Sequence, residues 1–103
     1  VCPCLYEAPT APHLAAAAMG ERIELDAVAA AYTELTRRAD CVLVEGIGGW
    51  ALPLSGTDML ADLPRRLGLP VVLVVGLRLG ALNHALLTAR AIVNDGLPFA
   101  GWI

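Results

Sequence analysis

Apolar and polar positions form alternating blocks of helical and strand character along this chain. In residues 24–38, apolar side chains recur at three- and four-residue steps, which predicts an amphipathic helix with Asp26 near its positive end and Arg37 and Arg38 near its negative end. Residues 41–44 are a continuous apolar run, typical of a strand buried on both faces. The same patterns predict helices near residues 13–19, 58–67 and 81–94, and strands at 71–75 and 97–103. The alternation predicts an α/β fold with a parallel sheet and right-handed crossovers.

The segment before the first helix is rich in proline, which predicts extended backbone. Thr10 is a candidate N-cap, with Pro12 in the first helical turn. His13 has two interpretations: it lines a pocket beside this loop, or it is a residue of the helix start without a ligand.

Glu45 ends the apolar run and is followed by three glycines within four positions. In open α/β sheets, ligands bind at the carboxyl ends of the strands. An acid placed there can hold Mg²⁺, and glycines allow a phosphate or a base to approach the backbone. A strand followed by a tight turn, with Glu45 merely solvated, explains the local pattern equally well.

A second loop follows the predicted strand 71–75 and opens the predicted helix 81–94. The free N–H groups at such a helix start can receive an anion without a cationic side chain, and Asn83 can also cap the helix. An ordinary crossover helix with no ligand explains the same pattern. Arg78 is either a carboxylate partner or a solvated loop residue.

Composition narrows the function classes. The chain has 103 residues, enough for one small domain, and its 57% hydrophobic content with only 17% charged residues indicates that the apolar segments belong to a larger buried sheet. A net charge of −3 argues against nucleic-acid binding. The apolar run at residues 69–77 is far shorter than the roughly 20 residues that span a bilayer, so no membrane partner is expected. Cys2, Cys4 and Cys41 are interpreted as reduced thiols of a cytoplasmic protein, because C-x-C is too short for the usual zinc knuckle.

Several segments, taken in order, resemble dethiobiotin synthetase. Glu7 to His13 is similar to that family's acid-Pro-Thr-x-Pro-His loop, and Ile47 stands where the family more usually has alanine. The other matching segments are Val44-Glu45-Gly46-Ile47-Gly48-Gly49-Trp50, Pro53-Leu54, Leu69-Pro70-Val71-Val72-Leu73-Val74-Val75-Gly76, Leu79-Gly80-Ala81-Leu82-Asn83-His84-Ala85-Leu86-Leu87-Thr88, Gly96-Leu97 and Ala100-Gly101-Trp102.

The resemblance implies one domain over residues 1–103, part of a P-loop NTPase-like parallel sheet flanked by helices. Both ends look truncated, with the amino-terminal phosphate-loop unit and the carboxyl-terminal end missing. It implies a cytoplasmic, homodimeric ligase of biotin synthesis that uses ATP and Mg²⁺. The family closes the ureido ring of dethiobiotin from 7,8-diaminopelargonate and CO₂, through a carbamate that takes the γ-phosphate of ATP.

The resemblance also implies roles for particular residues. Glu45 would be a Mg²⁺ ligand that also lies on the nucleotide, and the adjoining wall would be formed by Gly46, Ile47 and Gly48. The substrate carboxylate would be received across the dimer by Leu79, Gly80, Ala81, Leu82 and Asn83. Thr10 and Pro12 would border the carbon chain of the diamine. No catalytic residue is expected within this segment, Trp50 and Pro53 would pack beneath the loop, and Trp102 would be a core residue.

The sequence is also compatible with two other functions. One is a regulatory or partition ATPase of the P-loop superfamily, and the other is a non-catalytic segment that retains only a dimerisation surface. Because the family's phosphate loop is absent, residues 1–103 by themselves are expected neither to bind nor to hydrolyse ATP well.

Overall fold

Helices make up most of the regular structure, and the sheet is a short parallel pair. The computed structural model describes residues 1–103, which form two units, residues 1–63 and 64–103. The elements are α1 (Pro12–Ala18), α2 (Leu25–Thr36), α3 (Asp62–Leu67), β1 (Val71–Leu73), α4 (Ala81–Asn94) and β2 (Phe99–Trp102). None of these helices has the length and apolar character needed to cross a membrane.

Helix α1 begins one residue later than a Thr10 cap would require. The N-cap is Ala11, which makes no side-chain capping bond, and Pro12 is the first helical residue. Proline suits this position because its fixed φ is already helical and its missing N–H would have no partner there. The Ala11 carbonyl accepts from the N–H of Leu14 at 2.9 Å. The prediction that Thr10 caps this helix is therefore wrong.

Helix α2 confirms the amphipathic pattern read from residues 24–38. Leu25 is buried, and Val28, Tyr32 and Leu35 are partly buried on the same side. Their spacing places them on one face of a helix, so the apolar stripe faces the interior of the first unit. The core of this unit consists of Ala15, Ala16, Ile23, Leu25, Leu54, Ala61 and Leu63.

Residues 41–45 do not form the predicted buried strand. No strand is assigned there, the side chain of Leu43 is 94% exposed and that of Val44 is 41% exposed. None of the backbone N–H groups of residues 41–46 donates to another backbone group. A strand is stabilised by pairing with a neighbour, so an apolar run without a ladder partner stays irregular however strong its propensity.

A hydrogen-bonded loop replaces the start of the helix predicted at residues 58–67. The Ser55 hydroxyl donates to the Asp58 carboxylate at 2.7 Å and accepts from the Asp58 N–H at 3.0 Å. The predicted start at Asp58 is therefore wrong, and α3 begins at Asp62, whose carboxylate accepts from the Met59 N–H at 2.8 Å. Pro64 does not interrupt α3, because it lies in the first turn, where a helical N–H has no intrahelical acceptor.

The second unit is a βαβ unit, and it confirms the predicted parallel pairing. Strands β1 and β2 are joined by α4, which has the predicted bounds 81–94. Val71 pairs with Phe99 and Val72 pairs with Gly101, so β2 carries one extra residue in a bulge. Both strands are shorter than predicted, although the Val75 N–H still donates to the Ile103 carbonyl at 2.8 Å.

The core of the second unit is small. Ile92 is fully buried and Leu97 is 8% exposed. Between them Gly96 ends α4 with a φ of +75°, and the N–H of Leu97 returns to the Ile92 carbonyl at 3.2 Å. Trp102 is 68% exposed, so its prediction as a core residue is wrong.

Candidate functional site

A cavity of about 300 Å³ lies within the first unit. Its walls come from the proline-rich segment before α1, from the start of α1 and α2, and from the glycine-containing segment after residue 44. The lining is mainly apolar, and it consists of Cys2, Pro3, Cys4, Leu5, Tyr6, Ala8, Thr10, Pro12, Ala15, Ile23, Leu25, Val28, Glu45, Gly46, Ile47, Leu54, Leu60 and Leu63. An apolar cavity with a few polar groups suits a small organic ligand.

The cavity brings together residues that lie far apart in sequence. Thr10 and Pro12 line it together with Glu45, Gly46 and Ile47. These are the two groups for which the sequence predicts a substrate pocket and a nucleotide wall. The structure thus places both groups at one cavity.

Two other predicted residues do not line this cavity. His13 is partly buried beside it, and its Nδ1 is shielded from solvent without a hydrogen-bond partner. His13 is therefore not a lining residue of this cavity, and both interpretations of it stay predictions. Gly48 lies just beyond the wall with a φ of +78°, and a Cβ added there would meet Leu52 Cδ2 at 3.0 Å. Gly48 is not among the lining residues of this cavity, and its place in a nucleotide wall stays a prediction.

The absence of a side chain at Gly46 shapes the cavity wall directly. A Cβ added to Gly46 would lie 3.1 Å from Leu60 Cδ2, tighter than ordinary van der Waals contact. Leu60 is held by its own N–H, which donates to the Leu52 carbonyl at 2.8 Å. Residue 46 is therefore held without a side chain because Leu60 packs against the position that a Cβ would occupy, and the loop of residues 52–60 supports this part of the wall.

Glu45 is the one acidic residue of the cavity wall. Its carboxylate is exposed and makes no hydrogen bond or ion pair with a protein group. No group of three or more His, Cys, Asp or Glu residues is arranged to hold a metal ion. Mg²⁺ usually keeps several waters and binds one or two carboxylates together with substrate phosphates. The arrangement fits Glu45 as a single protein ligand to such an ion and does not fit a cage made by this chain alone.

Sequence reasoning missed the part of the wall formed by residues 2–6. Cys2, Cys4 and Tyr6 line the cavity although no role was assigned to them. Burial raises the pKa of the partly buried Cys4 thiol above its ordinary value, and the nearby Cys2 and Glu21 raise it further. An extended proline-rich segment has no apolar periodicity, so only its proximity to Thr10 could have suggested these residues.

In the second unit, the predicted loop of residues 79–83 lies at the start of α4. The N-cap is Gly80 in the left-handed region with a φ of +91°, and no side chain caps the helix. Asn83 is therefore inside the first turn, and the prediction that it caps the helix is wrong. The Ala81 N–H donates to the Arg78 carbonyl at 2.9 Å, whereas the N–H groups of Leu82 and Asn83 donate to no protein acceptor.

A small cleft of about 150 Å³ lies beside this helix start in the second unit. Arg78, His84 and Thr88 supply its polar side chains, and the carboxyl end of β1 supplies backbone. Of the five residues predicted to bind the substrate carboxylate, only Ala81 lines it. The other four, Leu79, Gly80, Leu82 and Asn83, are exposed to solvent.

Comparison with known proteins adds the family. The chain is 56% identical to the ATP-dependent dethiobiotin synthetase of Xanthomonas euvesicatoria pv. vesicatoria over 101 residues, 98% of this chain and 45% of that protein. It is 55% identical, over the same shares, to the ATP-dependent dethiobiotin synthetases of two strains of Xanthomonas oryzae pv. oryzae. The chain thus spans less than half the length of these relatives.

These relatives confirm the resemblance to dethiobiotin synthetase that the motifs indicated. The pattern that defines the AAA domain family matches residues 1–103, which confirms the expected α/β fold of a P-loop NTPase-like domain. In the structure, α4 packs against the parallel pair β1 and β2. The whole described chain therefore belongs to the AAA domain family.

Proposed function

We propose that this chain is part of an ATP-dependent dethiobiotin synthetase, a cytoplasmic ligase that acts on 7,8-diaminopelargonate, CO₂ and ATP as a homodimer. The observation that carries the proposal is the cavity of the first unit, where Thr10 and Pro12 meet Glu45, Gly46 and Ile47. The sequence identity of 55–56% to enzymes of that name supports the same assignment.

The proposed reaction has three steps. One amine of the diamine attacks CO₂ to give a carbamate, with loss of a proton. A carbamate oxygen then attacks the γ-phosphorus of ATP, and ADP leaves. Finally the second amine attacks the carbonyl carbon of the phosphorylated carbamate and loses a proton, phosphate leaves and the ureido ring closes. The substrate is a long-chain acid with adjacent amines, so it needs an apolar channel for its carbon chain and an anion site for its carboxylate.

The cavity residues have distinct parts in this proposal. Thr10 and Pro12 border the carbon chain, and the bare backbone of Gly46 and Ile47 lies against the nucleotide. Glu45 supplies one carboxylate to Mg²⁺, which neutralises phosphate charge when bound. The remaining groups that phosphoryl transfer requires are not among the residues of this cavity. Glu45 is therefore proposed to orient Mg²⁺ and, through it, to help neutralise the phosphate charge. Proton transfer is assigned to other groups.

The start of α4 is proposed as the carboxylate site. The unpaired N–H groups of Leu82 and Asn83 are suitable donors for an anion. Leu79, Gly80 and Ala81 complete this turn, and the φ of +91° at Gly80 exposes its backbone. In the proposal the carboxylate comes from a substrate held mainly by the partner subunit.

The exposed apolar side chains of this region support a dimer. Leu79 is fully exposed, Leu82 is 83% exposed and Leu86 is 58% exposed. Their spacing of three and four residues places them on one face of α4 and its preceding turn. Contiguous exposed apolar patches mark association surfaces. We propose that a second copy covers it.

The metal role is tested by Glu45→Gln in the intact enzyme. We expect kcat/KM for dethiobiotin formation to fall about 100-fold, or about 3 kcal/mol, as for the loss of one preorganised electrostatic contact. The Mg²⁺ concentration for half-maximal rate should rise as well. Glu34→Gln is the matched control, because Glu34 is an exposed residue of α2 that only pairs with Arg37 at 3.3 Å. Unchanged turnover and Mg²⁺ dependence in the Glu45 variant would refute this role.

The carboxylate role is tested by Asn83→Ala, again in the intact enzyme. We expect the KM for 7,8-diaminopelargonate to rise about tenfold, because the proposal gives the Asn83 side-chain amide a hydrogen bond to the carboxylate in addition to that of its backbone N–H. The KM for ATP should change little. Asn94→Ala at the other end of α4 is the control. A change confined to the KM for ATP would contradict the assignment.

The dimer is tested by Leu82→Asp, which places a charge in the row of exposed leucines. We expect sedimentation velocity to show a shift from dimer to monomer, because an unpaired charge is costly to bury in an interface. Leu87→Asp is the control, since Leu87 is 57% exposed on α4 but lies about 100° around the helix axis from Leu86, outside the leucine row. A wild-type protein that sediments as a monomer would exclude the homodimer.

A further inference from the structure

Two thiols lie together on the wall of the first unit's cavity, and the proposed function uses neither. Cys2 and Cys4 both line the cavity, and both are free. Their chemistry is distinct from that of the other lining residues, which are mostly apolar. A pair of thiols at an accessible wall is a binding site for soft ligands.

The backbone between the two thiols already brings them toward each other. The chain bends at Pro3 and Cys4, and the Cys2 thiol donates to the Cys4 carbonyl at 3.3 Å. The sulfur of Cys2 is therefore directed back toward residue 4, although Cys2 itself is exposed. Metal–thiolate bonds of about 2.3 Å require two sulfurs about 4.6 Å apart on opposite sides of an ion. Cys2 is exposed and Cys4 only partly buried, so both side chains are free to rotate toward a common ion.

The absence of further ligands selects the kind of ion. No group of three or more His, Cys, Asp or Glu residues is arranged around a common point. Structural zinc takes four ligands in a tetrahedron, so two thiolates do not satisfy it. Cu(I) is a soft d¹⁰ ion that thiolates select and that accepts linear coordination by two sulfurs.

We propose that Cys2 and Cys4 bind one Cu(I) ion between their thiolates at the wall of the cavity. Two S–H bonds break, two Cu–S bonds form, and both protons pass to solvent without any change in oxidation state. Cu(I) is the co-reactant, and the total charge falls from +1 for the free ion and two neutral thiols to −1 for the bis-thiolate complex, which balances the two protons released. This site does not depend on the proposed ligase activity.

Burial favours the neutral form of one of the two thiols. The pKa of Cys4 is raised by its partial burial and by Cys2 and Glu21. A metal ion must therefore displace a proton from Cys4, as is usual for thiolate sites. The same partial burial shields the Cu–S bond of Cys4 from exchange with solvent ligands.

The test is a competition titration of the full chain without oxygen, in which Cu(I) is supplied as its coloured bicinchoninate complex. The wild-type chain should remove one equivalent of Cu(I) per chain from the chelator. Cys2→Ser and Cys4→Ser should each lower the affinity about 100-fold or more, because the second sulfur acts at a high effective concentration. Circular dichroism of each variant checks that the fold is retained.

Cys41→Ser is the matched control, because Cys41 is an exposed free thiol that does not line the cavity. This variant should bind Cu(I) like the wild type. An equal loss of affinity in Cys41→Ser, full affinity in either of the other variants, or one ion shared by two chains would each overturn the proposal. A folding failure of Cys4→Ser would leave Cys2→Ser, at an exposed position, to decide the result.

Discussion

Two stretches of this chain have almost the same pattern but different structures. Residues 41–50 and residues 71–80 each begin with an apolar run and continue into glycine. In the second stretch, Val71–Leu73 forms β1 and pairs with β2. In the first stretch no strand forms, and Leu43 is 94% exposed. The difference teaches that an apolar run specifies the capacity for a strand, whereas a backbone partner decides whether the strand forms.

The partner of β1 is supplied locally. Helix α4 is 14 residues long and returns the chain to lie parallel beside β1. Parallel strands need a crossover of about a dozen residues or more, and a helix of this length supplies it. Residues 41–44 have no such returning strand, and the side chains that would be buried in a sheet remain exposed. In the first unit, the segment that follows this run lines a cavity instead, through Glu45, Gly46 and Ile47.

Amide hydrogen exchange should show the largest contrast between the two stretches. The N–H groups of Val71 and Val75 donate to Pro98 and Ile103, both at 2.8 Å, whereas those of residues 41–46 have no backbone acceptor. Hydrogen-bonded amides exchange only when the structure opens, so they should exchange about 100-fold or more slowly relative to their unfolded rates. Mass spectrometry of overlapping peptides measures this. If the amides of residues 41–44 were protected as strongly as those of Val71 and Val75, the two stretches would not differ in backbone pairing.

Truncation of apolar side chains should give the next largest contrast. Ile92→Ala removes a side chain with no solvent exposure and should lower the free energy of unfolding by about 3 kcal/mol. Leu43→Ala removes a side chain that is 94% exposed and should change it by less than about 0.5 kcal/mol. Urea unfolding curves compare the two variants. A large loss in Leu43→Ala would show that residues 41–44 are buried as a strand.

The glycine that ends α4 should contribute a smaller effect. Gly96→Ala forces a side chain into a φ of +75° and should destabilise the chain by about 1–2 kcal/mol, although no atom within 4 Å would clash with the new Cβ. Gly76→Ala is the control, since Gly76 has neither a positive φ nor a neighbour within 4 Å. Thermal unfolding of both variants measures the difference. Equal stability of the two variants would show that the turn after α4 does not hold β2 in place.

The smallest expected effect is a shift in the alkylation of Cys4, which tests how closed the first unit's cavity is. Burial raises the pKa of this thiol, so its thiolate should form at higher pH in the folded chain than in urea. Iodoacetamide rates at Cys4, measured by mass spectrometry across pH, should therefore have a higher midpoint in the folded chain. The unfolded chain loses this proton first, so the contribution of Cys4 to stability is complete at neutral pH and declines as pH rises. Identical midpoints would show that the cavity is open to water at Cys4.

Much of the local structure could be predicted from the sequence. Helix α4 has its predicted bounds, because an apolar stripe lies between glycines at both ends, and α2 agrees within two residues at each end. Boundaries that depend on side-chain hydrogen bonds were wrong. Ser55 and Asp58 form a turn that delays α3 to Asp62. Such bonds compete with helix formation, and they cannot be predicted from the spacing of apolar residues.

The candidate site could be predicted only in part. Glu45 and Gly46 could be recognised as candidate site residues from the sequence. An acid after an apolar run can hold Mg²⁺, and a glycine lets a ligand approach the backbone. Cys2, Cys4 and Tyr6 had no such signal, since they line the cavity only through the path of an irregular segment. Trp102 was assigned to the core by its type, yet it is 68% exposed at the end of β2.

The sequence by itself determined the order of helical and strand-forming blocks, the glycine stops and the motifs shared with dethiobiotin synthetases. These features depend on local periodicity and on residue identity. The tertiary structure alone decided that Val71–Leu73 pairs while residues 41–44 do not, and that Thr10 and Pro12 share a cavity with Glu45. Strand pairing and cavity formation both require contact between segments that are distant in sequence. A local residue pattern does not specify which distant segment it will contact.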